Sequence, residues 1–174
     1  TIEAGNLTAE QIQTDLRAAQ EALKTAVAAE KDAVKATNPD GNLTKALNRA
    51  RQEYAKTYNN LTSGRPPSLE KELEFLQAWK NYQTALEGAG GKETAAVTLA
   101  RQNLKIDSVS LSTSQAEDLV SKINGLNEAS TQYNAKLYQL EDIETDKAVA
   151  NEQIATLKSL LSDSKSVETL NTQI

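Results

Sequence analysis

The last third of the chain carries a ladder of apolar and small residues with the repeat of a coiled coil. Its steps alternate between four and three residues, with one extra step of three between Leu140 and Ile143. Its positions are Leu119, Ile123, Leu126, Ser130, Tyr133, Leu137, Leu140, Ile143, Lys147, Ala150, Ile154, Leu157 and Leu161. Such spacing lines one side of an α-helix, and that side is buried against other helices. We call these positions the seam.

The remaining composition also favours helices. Aromatic residues make up 4% of the 174 residues, and there are only 7 Gly and 3 Pro. Ala, Leu, Gln, Glu and Lys dominate, which is typical of helical bundles and coiled coils. We therefore predict an all-α fold. The expected architecture is one structural unit, an elongated antiparallel helical bundle or coiled coil with an N-terminal helical hairpin and a long C-terminal helix.

Residues 1–63 are predicted to form the N-terminal hairpin. Thr8 and Gln11 have the spacing of a capping box that opens the first helix. Pro39 disfavours helix at Asn38, so this helix should end near Thr37. Its apolar stripe is Ile12, Leu16, Ala19, Leu23, Ala26 or Val27, and Ala33 or Val34. The second helix follows a short turn, with one face formed by Leu43, Leu47, Ala50, Tyr54, Tyr58 and Leu61.

Residues 64–111 are predicted to contain short helices and an extended connector. A third helix should begin at Ser68, with inward residues Leu69, Leu73, Leu76, Trp79 or Tyr82, and Leu86. Its aromatic residues predict either a local core or an interface. A short helix over 92–103 precedes the alternating stretch from Leu104 to Leu111, which predicts a short ribbon or a plain connector. Residues 112–174 should form the long coiled-coil helix, opened by a capping box of Ser112 and Gln115.

The net charge of -5 comes entirely from that last helix. Residues 1–111 carry 14 acidic and 14 basic side chains, whereas residues 112–174 carry 10 acidic and 5 basic ones. The densest acidic cluster is Glu141, Asp142, Glu144 and Asp146. It predicts either a solvated face or a strip for a basic partner. Nucleic acid is not expected as a partner on this balance.

Several kinds of chemistry lack their usual side chains. The chain has no His and no Cys, which excludes Ser-His-Asp and Cys-His nucleophiles and the usual zinc and haem ligands. Neither of the glycine-rich phosphate-binding motifs, GxxxxGK(S/T) and GxGxxG, is present. We therefore expect no enzyme activity, no cofactor and no metal. No run approaches the about 20 apolar residues of a membrane span, so we expect no integral membrane segment.

Three stretches resemble a known family. They are Leu104–Leu119, Tyr133–Leu140 and Ile154–Ser164, the last containing Leu160-Leu161-Ser162. With the predicted order of helices, they look like the hydrophilic translocators of bacterial type III secretion, the needle-tip and needle-extension filament proteins. The absence of Met departs from that family's pattern.

The resemblance implies export without a cleaved signal, assembly on the secretion needle, and homo-oligomer contacts through the C-terminal helix. It also implies that the N-terminal hairpin shields this helix before secretion. The expected location is then secreted or at the bacterial cell surface, with a cytoplasmic location as the alternative.

The predicted interface lies on the C-terminal helix. Its residues are Tyr133, Leu137, Leu140, Ile154, Leu157, Leu161, Val167, Leu170 and Ile174. Their spacing is equally typical of a core within one chain. The leading hypothesis is a self-associating assembly protein that binds protein partners. The alternative is a helical binding module, such as an adaptor, a chaperone or a surface domain, and a phage or virion bundle is a further possibility.

Overall fold

The structure is a computed structural model that describes residues 8–173, with side chains described for residues 8–163. Over this range the chain forms five helices and one two-stranded ribbon. In chain order they are α1 (Ala9–Thr37), α2 (Asn42–Thr62), α3 (Leu69–Gly88), α4 (Ala95–Gln102), β1 (Lys105–Ile106), β2 (Val109–Ser110) and α5 (Thr113–Gln173). The all-α prediction is confirmed.

Helix α1 begins and ends where its sequence predicts. The Thr8 hydroxyl accepts a hydrogen bond from the Gln11 backbone, and the Gln11 side chain accepts one from the Thr8 backbone, which completes the capping box. At the other end, the Asn38 backbone N–H donates to the carbonyl of Val34. Asn38 itself is extended, as expected for a residue before proline.

The chain divides into two compact units. The first contains the residues up to Gly41 and those from Asn134 onward. In it, α1 pairs with the C-terminal half of α5. Asp15 shares a groove with Thr156, whereas Ala29 shares one with Asp142, so the two helices run antiparallel.

The second unit contains Asn42–Tyr133 and holds the larger core. This core draws side chains from α2, α3, α4, the ribbon and the first turns of α5. Its buried members are Tyr54, Tyr58, Phe75, Tyr82, Val97, Leu104, Ile106, Leu111, Ala116, Leu119 and Ile123. Apolar burial on this scale is the main stabilising contribution to the unit.

A two-residue antiparallel ribbon leads into α5. Lys105 pairs with Ser110, and Ile106 pairs with Val109. Asp107 and Ser108 connect the strands with φ angles of 51° and 66°, the left-handed conformation favoured in tight hairpin turns. The sequence left a ribbon and a plain connector open, and the structure has the ribbon. Immediately after it, Ser112 and Gln115 form the predicted capping box of α5.

Part of the prediction for α3 is wrong. Leu69 and Leu73 were expected to point inward, but they are 69% and 55% exposed. The buried face of α3 is set by Phe75 and Tyr82, seven residues apart. At about 100° per residue, Leu73 lies about 160° away from Phe75, so it faces away from the core.

Burial also distinguishes the alternatives predicted for α1 and confirms the face predicted for α2. On α1, Ala33 is buried and Ala26 half-buried, whereas Val27 and Val34 are exposed. The predicted face of α2 is buried or half-buried at every position. The hairpin between α1 and α2 stays a prediction, as does the division of the chain at residues 63 and 111.

Candidate protein-interaction surface

The seam packs inside this chain along its whole described length. Leu119, Ile123, Ile143 and Ala150 are buried, and every other seam position is half-buried except Leu137. Leu137 is 38% exposed. The seam therefore forms contacts within the chain, whatever further contacts it makes.

The degree of burial changes along the seam. In the second unit, Leu119 and Ile123 lie in a core built from several elements and are 0% and 1% exposed. In the first unit, only α1 among the described residues covers α5. A single partner helix covers one side of a seam and leaves its flanks open to solvent.

Six of the nine predicted interface residues have described side chains, and none of the six is fully buried. Five of them are half-buried and Leu137 is exposed: the half-buried ones are Tyr133, Leu140, Ile154, Leu157 and Leu161. Val167, Leu170 and Ile174 lie outside the described side chains. The six described residues thus keep part of their apolar surface accessible, as Leu126 of the seam also does. Their role as an interface stays a prediction.

An ion pair lies in the seam of the first unit. Lys147 occupies a seam position between buried Ile143 and Ala150, and its Nζ donates to Glu30 Oε2 at 2.8 Å. Glu144 Oε1 lies 3.8 Å from the same ammonium. The hydrogen bond from Lys147 is the largest contribution that lowers the pKa of Glu30, and Glu30 in turn raises the pKa of Lys147. A charged pair at a seam position favours one alignment of the two helices over its slipped alternatives.

A groove runs along one side of the pair formed by α1 and α5. It has two stretches of about 570 Å³ and 540 Å³, and both stretches are lined by Ala22 and Gln153. The floor is apolar and built mostly from small residues, namely Ala18, Ala19, Ala22, Ala26, Ala29, Ile143, Ala150 and Leu157. We call this surface the alanine groove.

The charged residues that line the alanine groove are all acidic. They are Asp15 from α1 and Asp142, Asp146 and Glu152 from α5. All four side chains are exposed, and none takes part in an ion pair among the described residues. The acidic cluster predicted at 141–146 is therefore split: Asp142 and Asp146 line the groove, whereas Glu144 lies beside Lys147.

A second groove lies in the other unit, between α2 and α5. Its volume is about 820 Å³, and its charged residues are Lys45, Arg49, Glu53 and Glu128. Both signs are present in equal number. This groove therefore has no electrostatic preference that would select a charged partner.

The aromatic residues of α3 form a local core. Phe75 and Tyr82 are buried, and Trp79 is half-buried, with its ring centroid 5.7 Å from that of Tyr82. The Arg101 guanidinium lies 5.9 Å from the centroid of the Tyr82 ring. The predicted local core is therefore present, and an interface role for these residues stays a prediction.

Within the described residues, no helix is long and apolar enough to cross a membrane. The same part of the chain holds no group of three or more His, Cys, Asp or Glu residues placed to bind a metal ion. Comparisons with protein-family models, with curated proteins and with solved structures find no match to this chain.

Proposed function

We propose that this chain is a non-enzymatic assembly protein that self-associates through the C-terminal half of α5. The observation that carries the proposal is the half-exposed seam of the first unit. Leu140, Ile154 and Leu157 remain partly accessible although each occupies a core position of the heptad pattern. Apolar side chains at such positions gain free energy when another helix covers them.

The contrast with the second unit supports the same conclusion. There, several elements surround the start of the seam and bury Leu119 and Ile123, whereas Leu126, Ser130 and Tyr133 are half-buried. In the first unit, the buried positions of α1 are Ile12, Ala19 and Ala33, so two of the three carry small side chains. Small residues let helices approach closely but cover little of a neighbouring leucine, so apolar area is left for a further helix.

The finer proposal is a needle-tip or filament component of a bacterial type III secretion system, exported to the cell surface. Its support is the resemblance of the stretches at 104–119, 133–140 and 154–164. Their arrangement in the fold is compatible with it, since a short extended ribbon directly precedes one long helix. In this proposal, self-association of α5 would build the assembly on the needle.

Light scattering coupled to size-exclusion chromatography, run over a concentration series, tests the coarser proposal. The wild-type chain should form species heavier than 18.8 kDa as concentration rises. The variant Leu157→Asp with Leu161→Asp places two carboxylates on the seam and should remove these species. Charge on the seam disfavours any contact that buries it.

The matched control is Ala155→Asp with Ser159→Asp, which adds the same charge in the same turns of α5. Both positions are exposed and lie on the side away from the seam. This control should self-associate like the wild type. Circular dichroism of both variants reports whether the helices persist. Unchanged self-association in the seam variant would contradict the proposal.

One observation favours a second candidate, a helical binding module for a different protein. The seam is already covered in part by the chain's own α1, as a monomeric module would require. A wild-type chain that remains at 18.8 kDa at all concentrations would support this candidate over self-association.

A further inference from the structure

The outer side of α1 carries a basic stripe. Its cations are Arg17, Lys24, Lys31 and Lys35, spaced by seven, seven and four residues. At about 100° per residue, these steps keep all four on one side of the helix. All four are exposed, and none forms an ion pair within the described residues. We call this surface the α1 stripe.

Apolar residues flank one edge of the α1 stripe, whereas the exposed acids Glu21 and Asp32 lie along its other edge. Val27 and Val34 are 46% and 48% exposed, and they lie along one edge of it, seven residues apart. A surface with exposed valines beside a row of lysines is amphipathic on its own. It is suited to an apolar floor between acidic walls.

The alanine groove has that character, and it lies on the opposite side of the same helix. Lys24 follows groove residue Ala22 by two positions, which rotates it by about 200° around α1. One molecule of the protein therefore presents a row of four cations on one side of α1 and an acidic groove on the other. Neither surface can reach the other within a single chain.

We propose that the α1 stripe of one copy docks in the alanine groove of a second copy. The proposal rests on the proposed function and names the surfaces that carry self-association. Two grooves facing each other would place acid against acid, and two stripes would place base against base. The contact that the charges favour is therefore groove to stripe.

The spacing of the charges is compatible with α1 of one copy lying antiparallel to α5 of the second copy. Lys35 and Lys31 lie four residues apart, as do Asp142 and Asp146, which is about 6 Å along each helix. The next charges follow at similar distances: Lys24 is seven residues from Lys31, and Glu152 is six from Asp146. The valines of the α1 stripe then face the alanines of the floor.

The geometry has a consequence for the assembly. Because the two surfaces differ and lie on opposite sides of α1, each docked copy still offers one free groove or one free stripe. Such heterologous contacts continue from copy to copy, and they give open chains or rings rather than a closed two-fold dimer. Exposed charges across the contact also make it sensitive to salt, since screening weakens them.

Charge reversal tests the pairing on the full chain by sedimentation velocity. The groove variant is Asp142→Lys with Asp146→Lys, and the stripe variant is Lys24→Glu with Lys31→Glu. Each variant alone sets like charges against each other, so its self-association should weaken roughly tenfold or more. A 1:1 mixture of the two, or one chain carrying all four changes, should restore it, because opposite charges then meet again.

The control for total charge is Glu117→Lys with Glu141→Lys, two exposed acids of α5 outside the groove lining. It should sediment like the wild type. Wild-type behaviour of both reversal variants would overturn the docking proposal and leave self-association itself intact. Failure of the mixture to recover would also overturn it.

A wild-type chain that is monomeric throughout would overturn both the docking and the self-association. If, in addition, a lysine-rich amphipathic helical peptide bound the wild type and not the groove variant, the groove would belong to a basic helix of another protein. That result would equally overturn the claim that a second copy of this chain occupies the alanine groove.

Discussion

Replacing Leu119 by alanine should destabilise the second unit strongly. Leu119 is 0% exposed and lies in the core shared by α2, α3, α4 and α5. The substitution removes three carbon atoms from this core, at about 0.8 kcal/mol for each buried methylene-sized group. The transfer contribution is then about 2.4 kcal/mol, and the cavity left behind raises the total to about 3–4 kcal/mol.

Urea unfolding followed by tryptophan fluorescence measures this loss. Trp79 is the single tryptophan of the chain, and it packs against the core that contains Leu119. Its emission therefore reports on the second unit alone, whereas circular dichroism reports on both units. The midpoint in urea should fall with little change in slope, since the surface exposed on unfolding stays nearly the same.

Leu69→Ala is the matched control, because it makes the same chemical change in the same unit. Leu69 is 69% exposed, so its replacement should change the free energy of unfolding by no more than about 0.5 kcal/mol. Equal losses for the two variants would refute the argument that Leu119 is central to this core and that Leu69 lies outside it.

Three further changes test other parts of the structure. Ser112→Ala removes the hydroxyl that caps α5 and should cost about 1 kcal/mol in the same fluorescence assay, whereas no change would contradict the capping role. A Cβ at Gly41 would overlap the backbone carbonyl of Ala36, so Gly41→Ala should cost about 1–3 kcal/mol and speed amide exchange in the turn that follows α1. Lys147 lowers the pKa of Glu30 below its ordinary 4.5, so the ion pair stabilises the folded protein above that pH and is lost as pH falls through the lower, folded value. Circular dichroism over an acid titration should therefore show a weaker loss of helix for Glu30→Gln than for the wild type, and identical curves would contradict a stabilising pair.

The helix boundaries could be predicted from the sequence because local chemistry sets them. Thr8 and Ser112 cap their helices through side chains only three residues from their partners. Pro39 ends α1 through a steric effect on the residue before it. The seam could be predicted for a similar reason, since a heptad repeat defines one side of a helix without reference to its partner.

The inward face of α3 could be predicted from the sequence only in part. Apolar residues occur on more than one side of this helix, and Leu69 and Leu73 form an i,i+4 pair as convincing as the true core positions. The contacts of Phe75 and Tyr82 with other elements decide the face. Periodicity within one helix cannot supply that information.

The alanine groove could not be predicted from the sequence. Asp142 and Asp146 belong to a visible acidic cluster, but Asp15 lies more than a hundred residues away in the chain. They line one groove only because α1 and α5 pair in a particular alignment. That alignment is a tertiary property, and the Glu30–Lys147 pair that favours it links residues 117 positions apart.

Sedimentation velocity of the wild-type chain over a concentration series tests the central claim most directly. Self-association through the half-exposed seam predicts a mass above 18.8 kDa that rises with concentration. A constant mass of 18.8 kDa at every concentration and at low salt would contradict the account.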